Sequence, residues 1–417
     1  MQTDAESKRV EDPLRESARE SSRTPLARLR ANRGIASVVV ITAVLYGVIV
    51  AGRLALHHWD PSFFIVAGAV FFDQSQAPQG VMVRSGTGYD GQFYYSLALH
   101  PFTHEREGYG IRIDSPAYRS QRILYPVLAH LLALGEIRWI PWSMIIVNYL
   151  AICALAFNAA RFAELFAAPA MIGLAIPFLP GVLLGLDRDL PDPLALSLMV
   201  FSLFLLHSRR TALAACMLAL AVLARETMVI LAGALFIYSA WRALRKQSGW
   251  SKTIAPMIPL ATYAGWQLWT FYRWGEFGFV AGRANLSGLP LSAVTWLVLR
   301  AAHFVRGLSL FQFLRQLFFL GELLFLAEMV LLAAIVSVRS AVDPGVKLAW
   351  LIYLALAASL SRWVWVDDWA FMRGCGELLV LGFLILMGAR VRRLSRIGLA
   401  STVAIWLALA VRTVLIE

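Results

Sequence analysis

Ile35 to Leu56 reads IASVVVITAVLYGVIVAGRLAL, twenty-two residues in which the only charge is Arg53 near the far end. Such a run is long enough to cross the ~30 Å hydrocarbon layer as one helix. It is not isolated. Further apolar runs lie at 141–160, 169–186, 193–207, 211–224, 227–241, 253–272, 316–337, 347–361, 374–389 and 397–414. Of the 417 residues, 59% are hydrophobic and 15% charged, against about a quarter charged in a soluble domain. The expectation is an all-α, polytopic transmembrane bundle of about eleven spans, with residues 34–417 as the membrane domain. Residues 1–33 carry both charge signs with no apolar periodicity and read as a disordered cytoplasmic tail.

Basic residues set the orientation. With the N-terminus inside, the cytoplasmic segments are the tail, Arg161 to Glu164, Arg209-Arg210, Arg242 to Lys252, Arg339 to Lys347 and Arg390 to Arg396. The other side receives 57–140, 187–192, Arg225-Glu226, 273–315 and 362–373, with nearly all the Asp. This follows the positive-inside rule. It also gives the net charge of +12 a membrane cause and argues against nucleic-acid binding. To keep later loops on their sides, 122–135 and 289–305 must be interfacial or re-entrant. Cys153, Cys216 and Cys375 have no metal-ligand spacing, and no metal site is expected from them.

The large loop 57–140 holds the most distinctive cluster, Gly88-Tyr89-Asp90-Gly91-Gln92-Phe93-Tyr94-Tyr95. Asp-Gly is a common turn dipeptide. Here it leads into FYYSLALHPF, an amphipathic stretch expected to lie along the membrane surface. Asp90 would then sit at the water–lipid boundary beside aromatic faces, a place for a general base acting on a lipid-carried substrate. Arg119 and Arg122 share a helical face. They either anchor to headgroups or bind a phosphate. Asp192 before Pro193 reads as a helix N-cap. Asp187 and Asp189 are freer to pair with arginines or hold a divalent cation. Arg225-Glu226, Arg273, Arg283, Arg306, Asp367-Asp368 and Arg373 are further candidates on the same side. Glu322 and Glu328 are the acids inside a span; they hydrogen-bond within the bundle or serve a transporter.

Tyr89 to Pro101, Tyr118-Arg119…Arg122-Ile-Leu-Tyr-Pro126, Asp187…Asp192-Pro193 and Ala224-Arg225-Glu226-Thr227 together resemble the GT-C superfamily of membrane glycosyltransferases. Within it they are most similar to a bacterial family concerned with cell-surface glycopolymer formation. The resemblance covers most of residues 35–390. It implies an inverting enzyme of the bacterial inner membrane that faces the periplasm or exterior. Its donor would be a sugar on a polyprenyl-phosphate carrier and its acceptor a surface glycan or glycolipid. It makes Asp90 the base. Arg119, Arg122, Arg225 or Arg373 would hold the carrier phosphate, and Asp187 or Asp189 would be the supporting acid. Tyr89, Gln92, Tyr94, Tyr95 and Glu226 complete the expected substrate-binding set. The family leaves a divalent cation open, but no second acid adjoins Asp90 here, which favours metal-independent chemistry. A secondary transporter or a flippase for lipid-linked glycans is the alternative.

Overall fold

In the computed structural model, residues 25–287, 289–302 and 309–415 are described. Helix accounts for 74% of the structure and strand for 3%. The first apolar run is α1, Pro25–Leu56. It starts inside the segment expected to be tail, with Pro25 at the first helical position, where its missing N–H costs nothing. Val40, Val44 and Val48, four residues apart, are more than half exposed along one face, while Val38 and Tyr46 are buried. An uncharged apolar face open along a helix suits lipid rather than water.

Two short helices follow, α2 (Gly91–Leu99) and α3 (Pro116–Ser120), then α4 (Leu124–Leu132) and the long α5 (Ile140–Leu165). The loop that carries α2 to α4 is tied by two minimal ladders, Ala67–Gly68 parallel to Val83–Arg84 and Glu107–Gly108 antiparallel to Ile111–Arg112. With nine residues, α4 is too short to cross, in keeping with an interfacial place. The run 169–186 is not one helix. It breaks into a 3-10 turn, Ala170–Ala175, and α6, Pro180–Asp187. Pro177 and Pro180 withhold two backbone donors, and Leu179 before Pro180 is extended. Tyr46 of α1 donates to the freed Pro177 carbonyl and accepts from the Trp406 indole at 3.1 Å. Neighbouring helices thus satisfy a backbone broken at membrane depth.

Apart from two single turns, Gly278–Ala281 and Arg362–Val366, the remaining helices are α7 (Asp192–His207), α8 (Thr211–Ala224), α9 (Val229–Leu244), α10 (Ser251–Trp274), α11 (Ser292–Ala302), α12 (Leu310–Ser337), α13 (Pro344–Ala358), α14 (Asp368–Gly374), α15 (Gly376–Gly388) and α16 (Arg392–Leu415). Among the described residues, five helical stretches are long and apolar enough to cross a membrane: 32–56, 137–165, 226–244, 312–337 and 392–414. The pair α14 and α15, bent by 48°, makes a sixth if it crosses as one broken span, and α7, α8 and α13 are shorter apolar helices.

Contacts sort the helix ends into two groups. The C-terminal end of α1 meets that of α6 through Arg53 and Asp187, and the start of α7 and the end of α14 meet the end of α8 through Asp192, Arg373 and Arg225. At the other group, the Ala341 N–H donates to the Gly388 carbonyl, and the Asp343 N–H to His207. Arg209-Arg210, Arg242 to Lys252 and Arg390 to Arg396 adjoin these latter ends. One end of the bundle is therefore basic and loop-poor. The other carries the long first loop and the acids.

Candidate functional site

At the loop-bearing end, Gly88 and Gly91 fix where Asp90 sits. Gly88 has φ +65°, and a Cβ there would lie 2.5 Å from the Gly68 nitrogen and the Val66 carbonyl oxygen. A Cβ on Gly91 would lie 2.3 Å from the Arg188 carbonyl oxygen. Only glycine permits these approaches, so the motif is pressed against both the Ala67–Gly68 strand and the α6–α7 connection. Asp90 occupies the N-cap position of α2 without making a side-chain cap bond. Its carboxylate is left for other partners, at the end of a helix whose dipole favours a negative charge.

Those partners are arginines. Asp90 Oδ2 lies 3.0 Å from Arg119 Nη1 and 3.6 Å from Arg373 Nη1. Arg119 also forks onto Asp114, Nε to Oδ1 at 2.9 Å and Nη2 to Oδ2 at 2.7 Å. Arg373 Nη2 reaches Asp192 Oδ2 at 3.2 Å, and its Nη1 donates to the Tyr89 hydroxyl at 3.2 Å. Arg225 pairs with Asp192 Oδ1 and, through Nε, with Glu377 Oε1 at 3.0 Å. The result is one chain of alternating charge, Asp114, Arg119, Asp90, Arg373, Asp192, Arg225, Glu377. It joins the first loop, the start of α7, the end of α8 and the α14–α15 bend. Beside it, Arg122 forks onto Glu226 at 2.7 and 2.8 Å and donates to the hydroxyls of Tyr94 (2.9 Å) and Tyr118 (2.7 Å).

Most of the chain is sealed. Arg119, Arg122, Asp192, Arg225, Arg373 and Glu377 are all buried. The exceptions are Asp114, with 31% of its side chain exposed, and Asp90, with 28%. Burial alone would raise the Asp90 carboxyl, but Arg119 and Arg373 outweigh that and hold it down at about 2. At neutral pH it is a solvent-reachable anion gripped by two guanidiniums. Burial pushes the Tyr94 phenol up to about 12 despite the nearby Arg122, so it stays protonated.

Of the residues expected from sequence, Asp90, Tyr89, Tyr94, Arg119, Arg122, Arg225, Glu226 and Arg373 come together here. Others do not. The stretch after Asp90 does not lie along a surface: α2 is buried over its whole length, because its apolar residues run all round and pack under α4 and α5. Gln92 is a structural clamp, accepting from the Gly68 N–H at 3.0 Å and donating to the Thr87 carbonyl at 2.8 Å. Tyr95 points away from the ion chain. Asp187 is taken up by Arg53 at 2.9 Å and Arg188 at 3.3 Å. Asp189 is buried beside the Tyr125 hydroxyl, where burial and the Asp187 carboxylate raise its pKa well above the usual range. Neither acid adjoins Asp90 in any ion pair. Among the described residues no group of three or more His, Cys, Asp or Glu is placed to hold a metal ion.

Asp192 corrects a second expectation. Its side chain makes no cap bond and instead bridges Arg225 and Arg373. Asp114 and Glu377 were missed altogether. Asp114 offered a local signal, standing five residues before the Arg119 it pairs with; Glu377, whose partner Arg225 lies far back in the chain, offered none. Arg273 bonds His104 and the Phe102 carbonyl, Asp367 caps α14 through the Trp369 N–H at 3.1 Å, Asp368 pairs with Arg412, and Arg283 is exposed. Arg306 lies outside the described residues. Comparison of the chain with family models, with curated proteins and with solved structures found no match in any of the three.

Proposed function

We propose that this chain is an inverting GT-C-type glycosyltransferase of a bacterial inner membrane, with about eleven spans, a cytoplasmic N-terminus and the ion chain on the outer side. The donor is a sugar on a polyprenyl phosphate, and the acceptor is a hydroxyl of a surface glycan or glycolipid. The observation that carries this reading is Asp90: solvent reaches its carboxylate, and it sits between two buried arginines, Arg119 and Arg373, at the loop-bearing end of an apolar bundle.

A carboxylate held near 2 is a feeble base while both arginines grip it. A phosphate changes that. As the donor's phosphate takes donors of Arg373 and Arg119, the positive field on Asp90 weakens and its basicity returns toward the ordinary value near 4. Asp90 then accepts the proton of the acceptor hydroxyl. The hydroxyl oxygen attacks the anomeric carbon from the face opposite the phosphate. The bond from that carbon to the phosphate oxygen breaks, and the arginines stabilise the charge left on the departing polyprenyl phosphate. Asp192, Asp114, Glu377 and Glu226 keep the guanidiniums oriented meanwhile.

The test is a deletion strain complemented with wild type or Asp90→Asn. The reading expects surface glycopolymer only with wild type, and accumulation of the polyprenyl-linked sugar with Asp90→Asn at equal protein level. Full polymer with Asp90→Asn sinks it.

One observation favours a secondary transporter as the rival. Glu322, inside α12, is fully buried with neither carboxylate oxygen hydrogen-bonded among the described residues. Glu328, six residues on, accepts from Ser401 at 2.9 Å. Intramembrane acids without partners mark proton relays. Proton-coupled uptake lost in Glu322→Gln with polymer synthesis unaffected decides for this rival.

A further inference from the structure

A concavity at the loop-bearing end of the bundle includes no member of the ion chain in its lining. It is a cavity of about 810 Å³ whose walls include Tyr95, Tyr109, Trp142, Asp60, Glu136 and Gln79. The volume lies in the range of small-molecule sites. All its lining residues fall in or next to the long first loop, at the same end of the bundle as Asp90.

Tyr95 is the informative wall. The residue is only 1% exposed, it lines this cavity, and none of the hydrogen bonds among the described residues involves its hydroxyl. Its neighbour Tyr94 shows the usual case, a buried phenol accepting from Arg122. A buried tyrosine hydroxyl normally finds a partner. One facing a cavity is placed to bond what enters it. Consecutive residues of a helix point about 100° apart. Tyr94 and Tyr95 therefore face different sides, and α2 is the partition between the ion chain and the cavity. Asp90 heads the same helix, about 7.5 Å along the axis from Tyr95 by helical rise.

The lining selects the ligand class. Trp142 and Tyr109 offer flat apolar faces. Asp60, Glu136 and Gln79 offer acceptors for hydroxyl groups, Gln79 also donors. Two carboxylates against Arg138 as the one cation in the lining disfavour a phosphate, and Asp60, Glu136 and Gln79 in the same wall disfavour an acyl chain. Flat faces ringed by acceptors suit an uncharged saccharide. We propose that this cavity is the acceptor subsite: it holds a neutral sugar residue of the acceptor glycan, with Tyr95 bonding one of its hydroxyls, and α2 sets the distance from that sugar to Asp90. The acceptor role rests on the transferase reading; saccharide binding does not.

The test uses the full chain in lipid nanodiscs, with the methyl α-glycosides of mannose, galactose and glucose as probes and saturation-transfer NMR as readout. At least one glycoside receives saturation from wild type. Tyr95→Phe, which keeps the ring and removes only the hydroxyl, weakens that binding about three- to tenfold, the size of one neutral hydrogen bond. In transfer assays Tyr95→Phe raises the acceptor KM by a similar factor and leaves kcat nearly unchanged. Trp142→Leu, tested alongside, lowers glycoside binding without touching α2. Three outcomes separate the ideas. No glycoside binding, or equal binding to wild type, Tyr95→Phe and Trp142→Leu, overturns the subsite. Unchanged acceptor KM in Tyr95→Phe while Asp90→Asn abolishes transfer overturns the subsite and leaves the transferase standing. Tyr95-dependent glycoside binding with undiminished transfer by Asp90→Asn keeps the saccharide site and removes the transferase.

Discussion

Asp192→Asn separates a capping residue from a buried electrostatic keystone. Asp192 is 1% exposed and lies between Arg225 and Arg373, themselves 6% and 7% exposed. A lost N-cap costs ~1 kcal/mol. Breaking a buried ion pair by removing one partner costs about 3–5 kcal/mol, because the other charge stays buried without compensation. Here the orphaned cations keep some company, Arg225 with Glu377 at 3.0 Å and Arg373 with Asp90 at 3.6 Å. The expected loss is therefore at the low end, about 3 kcal/mol. The assay is denaturant unfolding in detergent micelles, with Arg225→Met and the double variant completing a cycle. If the pair acts as described, the double variant loses less than the sum of the singles, with a coupling of roughly 2 kcal/mol. A single-variant loss near 1 kcal/mol together with additivity within about 0.5 kcal/mol refutes the reasoning.

Three further outcomes follow from the same geometry. Gly91→Ala must displace backbone, since its Cβ would lie 2.3 Å from the Arg188 carbonyl oxygen; it should destabilise by roughly 1–3 kcal/mol, whereas Gly233→Ala, with nothing within 4 Å in mid-helix, should stabilise by up to about 1 kcal/mol, and melting of the two variants checks both signs. Because Asp90 is held at about 2, below its ordinary 3.8, the stability it adds is fully present above pH ~4 and lost as pH falls through about 2. The advantage of wild type over Asp90→Asn, at most about 2 kcal/mol, should thus be flat from pH 8 to 5 and vanish near pH 2 in pH-dependent unfolding.

The helical body was legible because an apolar run of twenty-two residues with a single charge near its end has few fates, and Ile35 to Leu56 has one. The limits of legibility are physical too. Pro177 and Pro180 were visible, but whether a proline kinks a span or splits it depends on who receives the freed carbonyl, and Tyr46 lies 131 residues away. Asp90, Arg119 and Arg122 were found because they stand in distinctive motifs of the first loop, and Arg225 and Arg373 because charge at a span end is conspicuous. Asp114 and Glu377 were not, because an acid becomes meaningful only when folding brings a cation to it. Asp192 was misread for a related reason: Asp-Pro at a helix start is sufficient for a cap, and nothing local announces two arginines 33 and 181 positions further on. Tyr95 shows the converse. The aromatics after Asp90 looked equivalent in sequence, yet helical geometry sends Tyr94 to the arginines and Tyr95 to the cavity.

The most direct measurement is sugar transfer itself. Purified chain in proteoliposomes is given radiolabelled polyprenyl-phosphate sugar extracted from the deletion strain and envelope glycolipid from the same cells. Asp73→Asn, an exposed change in the same loop, serves as the control. The account predicts label in the acceptor with wild type and control, and a fall of about 10²–10⁴-fold with Asp90→Asn, the contribution of a positioned general base. Transfer by Asp90→Asn within a few-fold of wild type contradicts it.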